Sequence, residues 1–144
     1  MDEESGQNNM YRIGFIDYFL DEWHAENYPL WIKQFSKSRF VLHGAYGDIE
    51  PPFNNRRSNA EFCQAHGIIH FKSIKDLVEE CDALILLSPD NPEEHVRLAR
   101  ETIISDKPIF VDKTFADSEE EAKQIFDIAQ AQEAPIYSTS ALRY

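Results

Sequence analysis

DALILLSP, residues 82–89, is the most apolar run of the chain, and DNPEEH at 90–95 ends it with a turn and a helix start. An apolar run without polar alternation suits a strand buried on both faces, as in a parallel sheet. Asn91 as cap, Pro92 at the first helical position and Glu94 three residues on predict a helix reaching about Ser105. The same strand-to-helix step recurs on both sides of it. Upstream lie a first strand YRIGFID (11–17), a stretch from Asp21 to Ser38 with Trp23, Tyr28, Trp31, Ile32 and Phe35 at helical spacing, and a second strand RFVLHGAYG (39–47). Pro29 is expected to kink or divide that helix. PPFNNRR reads as loop, SNAEFCQAHG (58–67) as a short helix stopped by Gly67, IIHF (68–71) as a third strand and SIKDLVEE (73–80) as a helix capped by Ser73. Downstream, KPIFVDK (107–113) is a fifth strand, Ser118 and Glu121 form a capping box opening a helix over 119–132, and PIYST (135–139) is a sixth strand.

Strands alternating with helices of these lengths imply right-handed crossovers. The expected fold is a doubly wound parallel sheet with helices on both faces, a Rossmann-type three-layer α/β architecture. Ligands of such folds sit at the carboxyl ends of the strands. Here those ends are 17–20, 46–48, 88–91, 112–114 and 138–140, which hold most of the candidate chemistry.

Composition narrows the partners. The 144 residues suffice for one domain over 11–144, preceded by a polar leader, 1–10, read as a disordered tail. Fourteen Lys and Arg against 26 Asp and Glu give a formal charge of −12, which disfavours nucleic acid and anionic lipid as partners. No window approaches ~18 apolar residues, and the acidic N-terminus is unlike a signal peptide, so neither a membrane span nor secretion is expected. Cys63 and Cys81 form no CxxC pair and read as reduced thiols of a cytoplasmic protein. The five histidines show no metal-ligand spacing.

The turn after the first strand is where a dinucleotide fold carries G-x-G-x-x-G. With Gly14 as the in-strand glycine, Asp17, Phe19 and Glu22 fall on the three positions. The glycines are absent, Phe19 stands in the way of a pyrophosphate, and Asp17, Asp21 and Glu22 repel it. Acids after the first strand also suit a Mg²⁺-binding receiver domain with Lys113 after the fifth strand, but the third strand ends in Phe71-Lys72-Ser73 without an acceptor Asp. Asp48 lies where an acid bonds a ribose 2′-hydroxyl, or simply caps a turn; Arg56 and Arg57 reach a 2′-phosphate or remain solvated surface. His95, on the first turn after the fourth strand, has two roles open: contacting a ligand or bonding the neighbouring loop.

RIGFID, DALILLSPDNPEEH, DKPIFVDKTFADSEEEAKQI and YSTSALRY, taken in order, resemble the N-terminal domain of the Gfo/Idh/MocA oxidoreductase family over about residues 11–144. In that family a strand ending in a Thr/Ala-Pro pair leads to a His-bearing helix, matched by Ser88-Pro89 and His95. A G-K-H-V-x-x-E-K-P segment supplies a lysine between cofactor and substrate, matched by Asp106 to Thr114 with Lys113 kept, Glu replaced by Asp112 and Pro by Thr114. His24 sits one position before a His that often follows the glycine turn.

The resemblance implies NAD or NADP as cofactor and hydride transfer with a sugar-like or polyol hydroxyl. Lys113 would bond the reacting oxygen and Asp112 orient it. Ser88, Pro89, Asn91, His95 and Lys113 would line the nicotinamide side, with Asp17, Tyr18, Phe19, Leu20 and Asp48 along the rest of the cofactor. It also implies a small-molecule substrate, a possible homo-oligomer and a second domain beyond Tyr144, so that this chain is a fragment of a two-domain protein, inactive alone. The rival reading is a catalytically degenerate Rossmann-type binding module that has lost dinucleotide binding.

Overall fold

The computed structural model describes residues 10–140; apart from Met10 the leader expected as a tail lies outside them, as do Arg143 and Tyr144. In chain order the elements are β1 Tyr11–Asp17, α1 Trp23–Phe35, β2 Phe40–Gly47, α2 Asn59–His66, β3 Ile69–His70, α3 Ile74–Glu80, β4 Ala83–Leu86, a 3-10 turn Pro92–Glu94, α4 His95–Thr102, β5 Ile109–Val111, α5 Glu119–Ala131 and β6 Ile136–Tyr137. The six strands form one sheet in the order β3-β2-β1-β4-β5-β6, and every pairing is parallel. This is the Rossmann-type doubly wound sheet expected, with its order reversing between β1 and β4.

Three helices cover one face. Leu77 and Val78 of α3, Leu98 and Ala99 of α4, and Ile125 and Ala129 of α5 pack with Leu84, Leu86, Ile109 and Val111 of the central strands. Gly14 lets α3 come close, since a Cβ there would lie 2.4 Å from Leu77 Cδ2. On the other face Ala25 of α1 and Phe62 and Cys63 of α2 pack with Ile13, Phe15, Leu42 and Ala45. These two helices sit over the β1–β3 half. Across the other half, Ala83, Ile85, Phe110 and Tyr137 border an open groove of about 480 Å³.

The helix ends follow local chemistry. Ser73 caps α3 through Asp76 N–H, and Gly67 closes α2 at φ +64°, both as expected. Ser58 and Glu61 complete a reciprocal capping box on α2. At α5 only half of the expected box forms: Ser118 accepts from Glu121 N–H, but the Glu121 carboxylate reaches back to the N–H of Asp117.

Four expectations need correction. Asp21 and Glu22 precede α1 instead of opening it, and Pro29 leaves α1 as one helix of 13 residues, because Ala25, Tyr28 and Ile32 hold both halves on one core. The Asn91 side chain does not cap a helix: it donates to Glu93 at 3.0 Å, ahead of the 3-10 turn. α4 stops at Thr102, where Ile103 turns into the core. The shortest strands also fall inside their expected ranges; β4 ends at Leu86 although Leu87 and Ser88 are still buried, because Ser88 adopts φ +54° and leaves the ladder.

Candidate functional site

At the switch point, the turn from β1 into α1 is folded inward. Phe19 and Leu20 are buried, Phe19 with its edge toward Phe53 at 6.3 Å, and Leu20 N–H donates to Asn59 Oδ1 at 3.0 Å. Asp21 is clamped by Arg57, which donates through Nε at 3.0 Å, Nη2 at 2.6 Å and its backbone N–H at 2.9 Å. Burial alone would raise the Asp21 carboxyl, but the Arg57 hydrogen bonds outweigh it and hold the group below its usual range. Arg56 donates to the Asp21 carbonyl at 3.0 Å, so both arginines considered for a 2′-phosphate contact Asp21 in this turn.

Glu22 caps α1. Its Oε1 accepts from Ala25 N–H and its Oε2 from His24 N–H, both at 2.6 Å. A helix N-terminus is a ready anion site, and here the anion is the chain's own carboxylate. Beneath it Asp17, 1% exposed, accepts at Oδ1 from the N–H and hydroxyl of Ser88 at 3.0 and 3.3 Å, while Ser88 Oγ accepts from Tyr18 N–H at 2.8 Å. Asp17 Oδ2 has no donor among the described residues. Burial, with the nearby Glu22 charge, pushes the Asp17 carboxyl well up, and burial raises Glu22 against the pull of its two backbone donors. A pyrophosphate cannot rest on the first-turn amides while Glu22 occupies them, so the residues present do not fit that part of a dinucleotide. The obstruction expected from Phe19 comes instead from Glu22.

The carboxyl end of β5 carries the second cluster. Asp112 is 1% exposed; its Oδ2 accepts from His24 Nδ1, and its Oδ1 accepts from Tyr28 hydroxyl at 3.1 Å and from Lys113 N–H at 2.9 Å. Burial and the Asp112 charge push the Tyr28 phenol up. Lys113 itself is exposed. Sequence reasoning singled out Asp112 and Lys113 but missed their partners. The signal was present, since His24 and Tyr28 stand four residues apart and so share one face of α1.

The remaining candidates are more dispersed. Asp48 accepts from Tyr46 hydroxyl at 3.1 Å and pairs with Arg97 at 2.7 Å, and the Tyr46 phenol is pushed up to about 12 by burial and that carboxylate. His95 is fully buried, with Nδ1 at 2.9 Å from the Phe115 carbonyl and Nε2 at 2.6 Å from the Leu87 carbonyl. Of its two open roles, the bond to the neighbouring loop is the one the structure forms. Pro89 and Asn91 are half-buried on the segment after β4. Among the described residues no group of three or more His, Cys, Asp or Glu is placed to hold a metal, and no helix is long and apolar enough to cross a membrane.

Comparison with known proteins agrees with this architecture. No curated protein matches the sequence. Solved structures similar in fold include the dehydrogenase MviM from Clostridium difficile (21% identity, TM-score 0.67, 89% of this chain and 38% of that one). They also include the WlbA dehydrogenase from Bordetella pertussis in complex with NADH and UDP-GlcNAcA (20%, 0.67, 90% and 37%). A third is biliverdin reductase from Synechocystis in complex with biliverdin and NADP+ (15%, 0.67, 89% and 37%). This chain thus spans a little over a third of the length of each. Residues 45–139 match the GFO_IDH_MocA family, described as an oxidoreductase family with an NAD-binding Rossmann fold, and the chain belongs to that family.

Proposed function

We propose that this chain is the Rossmann-type domain of an oxidoreductase acting on a hydroxyl of a small sugar-like or polyol molecule, with Lys113 as the donor to the reacting oxygen. The observation that carries the reading is the anchorage of Asp112. Its buried carboxylate, tied to α1 by His24 and Tyr28, fixes the end of β5 from which the exposed Lys113 departs. Relatives in fold include a UDP-N-acetylglucosamine 3-dehydrogenase from Acidithiobacillus ferrooxidans (19% identity, TM-score 0.65), which supports a sugar-derived substrate class. NAD or NADP is the cofactor this family membership supports. Ser88, Pro89 and Asn91 lie on its nicotinamide side in this reading, and His95 contributes by holding the Leu87 and Phe115 backbones together. The reading keeps a cytoplasmic location and a homo-oligomeric assembly as part of the proposal.

In the whole protein, Lys113→Ala is expected to lower turnover by about 10²-fold with the melting temperature retained. Turnover equal to that of the wild type would overturn the assignment.

A second reading, a catalytically degenerate module without dinucleotide affinity, is favoured by one observation: the Glu22 carboxylate occupies the first-turn amides of α1. Thermal unfolding of the chain with NAD(H) and NADP(H) separates the two. A dinucleotide at ~100 times its Kd adds roughly 2.7 kcal/mol and raises the midpoint by several degrees. No shift with any of the four supports the degenerate module.

A further inference from the structure

We infer that the outward face of α1 is a contact surface between two copies of this protein, packed antiparallel about a twofold axis near Leu30. The inference rests on the proposed function only in its homo-oligomeric part, and the hydride chemistry does not enter it. Trp23, Asn27, Leu30, Trp31 and Gln34 project from the side of α1 opposite the core residues Ala25 and Ile32, and Phe35 closes the row. Trp23 is 61%, Leu30 67%, Trp31 37% and Phe35 76% exposed. The two indoles meet edge-on at 5.6 Å, so they form one continuous surface.

A helix face turned to water carries charge, as α5 does with Glu119, Glu120, Lys123 and Asp127 exposed. No Asp, Glu, Lys or Arg lies on the row of α1, in a chain of which 28% is charged. At roughly 200 Å² per large aromatic side chain, the three rings leave about 350 Å² in water, and Leu30 takes the row past about 400 Å². That is the size at which an apolar patch marks an interaction site. Two copies face to face withdraw about 800 Å² of apolar surface, and their polar edges bring the contact to the ~1,000 Å² that a specific interface needs.

The row also fits itself. A twofold contact sets the residues of one helix against those of the other in reverse order. With the axis near Leu30, Leu30 meets its own counterpart, Trp23 meets Phe35 of the second copy, and Asn27 meets Trp31. Along one edge Glu26 of each copy faces Lys33 of the other, which places opposite charges across the contact. Lys33 has no ion-pair partner among the described residues of its own chain. A chain of formal charge −12 repels its copy over most of its surface, so a neutral face edged by complementary charges is where two copies come together. A basic partner would call for carboxylates on the row, and the row has none.

Sedimentation velocity of the chain over a concentration series should show a monomer–dimer equilibrium, and Leu30→Glu should raise its dissociation constant by about 10²-fold. Leu30 is exposed, so at a concentration where the wild type is monomeric the two proteins should melt together. Leu30→Cys gives a second readout. Under mild oxidation it should cross-link to its own counterpart at the axis, while Glu120→Cys, exposed on α5, should not. Cys63 and Cys81 are buried and stay out of the reaction. A chain that stays monomeric overturns the α1 contact, and if the whole protein is monomeric too, the homo-oligomeric reading falls with it. A dimer that Leu30→Glu leaves intact, or cross-linking no faster at position 30 than at 120, overturns the α1 contact alone. So does a whole protein in which Leu30→Cys fails to cross-link because another part of it covers α1.

Discussion

Asp17 is a carboxyl group kept in the dark under another one. An unfolded Asp ionises near 3.9, whereas burial and Glu22 keep folded Asp17 protonated to higher pH. The folded state therefore binds the extra proton, and the contribution of Asp17 to stability falls as pH rises from about 4 through its raised folded value. Glu22, also raised, works in the same direction. Asp17→Asn keeps an oxygen for the Ser88 donors and turns an amide toward Glu22. Its melting temperature is expected to vary less between pH 4 and 7 than that of the wild type, and to equal or exceed it at pH 7. A uniform loss of several degrees across the range would show that the proton is not held there. From sequence the acids of this turn read as repulsive toward phosphate. What remained hidden was their pairing: Asp21 meets Arg57 through a loop 36 residues away, and Asp17 meets Ser88 across 71. Local spacing carries no information about such contacts.

At the scale of the element, α1 is the least ordinary piece. Glu is outside the usual set of N-caps, which is why the pattern read Asp21 as its start, while the Ser73 cap and the Gly67 stop were legible from residue type alone. Removing this cap tests both its structural and its blocking role. Glu22→Ala should cost about 1 kcal/mol in urea unfolding, the ordinary worth of a cap, and should leave the first-turn amides open. Inorganic pyrophosphate should then raise the melting temperature of the variant and not that of the wild type; no shift in either would mean that Glu22 is not what bars the anion. The docking of α3 is legible in another way. Gly14 sits in β1 where the alternation calls for an inward side chain, and Leu77 of α3 fills the space. Gly14→Ala should cost about 1–3 kcal/mol by overpacking, measured in the same unfolding experiment.

The whole molecule shows why alternation predicted the architecture yet left the strand lengths open. Parallel order and helical layers follow from the apolar runs, but where each ladder stops depends on its neighbour: β5 pairs with β6 through only Ile109 and Phe110, so the apolar stretch is longer than the strand. The two faces of β5 are also unequal. Ile109, 1% exposed, points into the core beneath α3, α4 and α5, whereas Phe110 is half-buried at the open groove on the other face. Period-2 geometry makes these adjacent residues a matched pair in one strand. Ile109→Ala should cost roughly 2–5 kcal/mol, because a cavity opens among three helices. Phe110→Ala removes more carbon, but from a side chain that borders the open groove, and its cost should be smaller than that of Ile109→Ala. Equal losses in urea unfolding would mean that the groove face is packed as tightly as the helical one, and that the sheet is covered on both sides along its whole width.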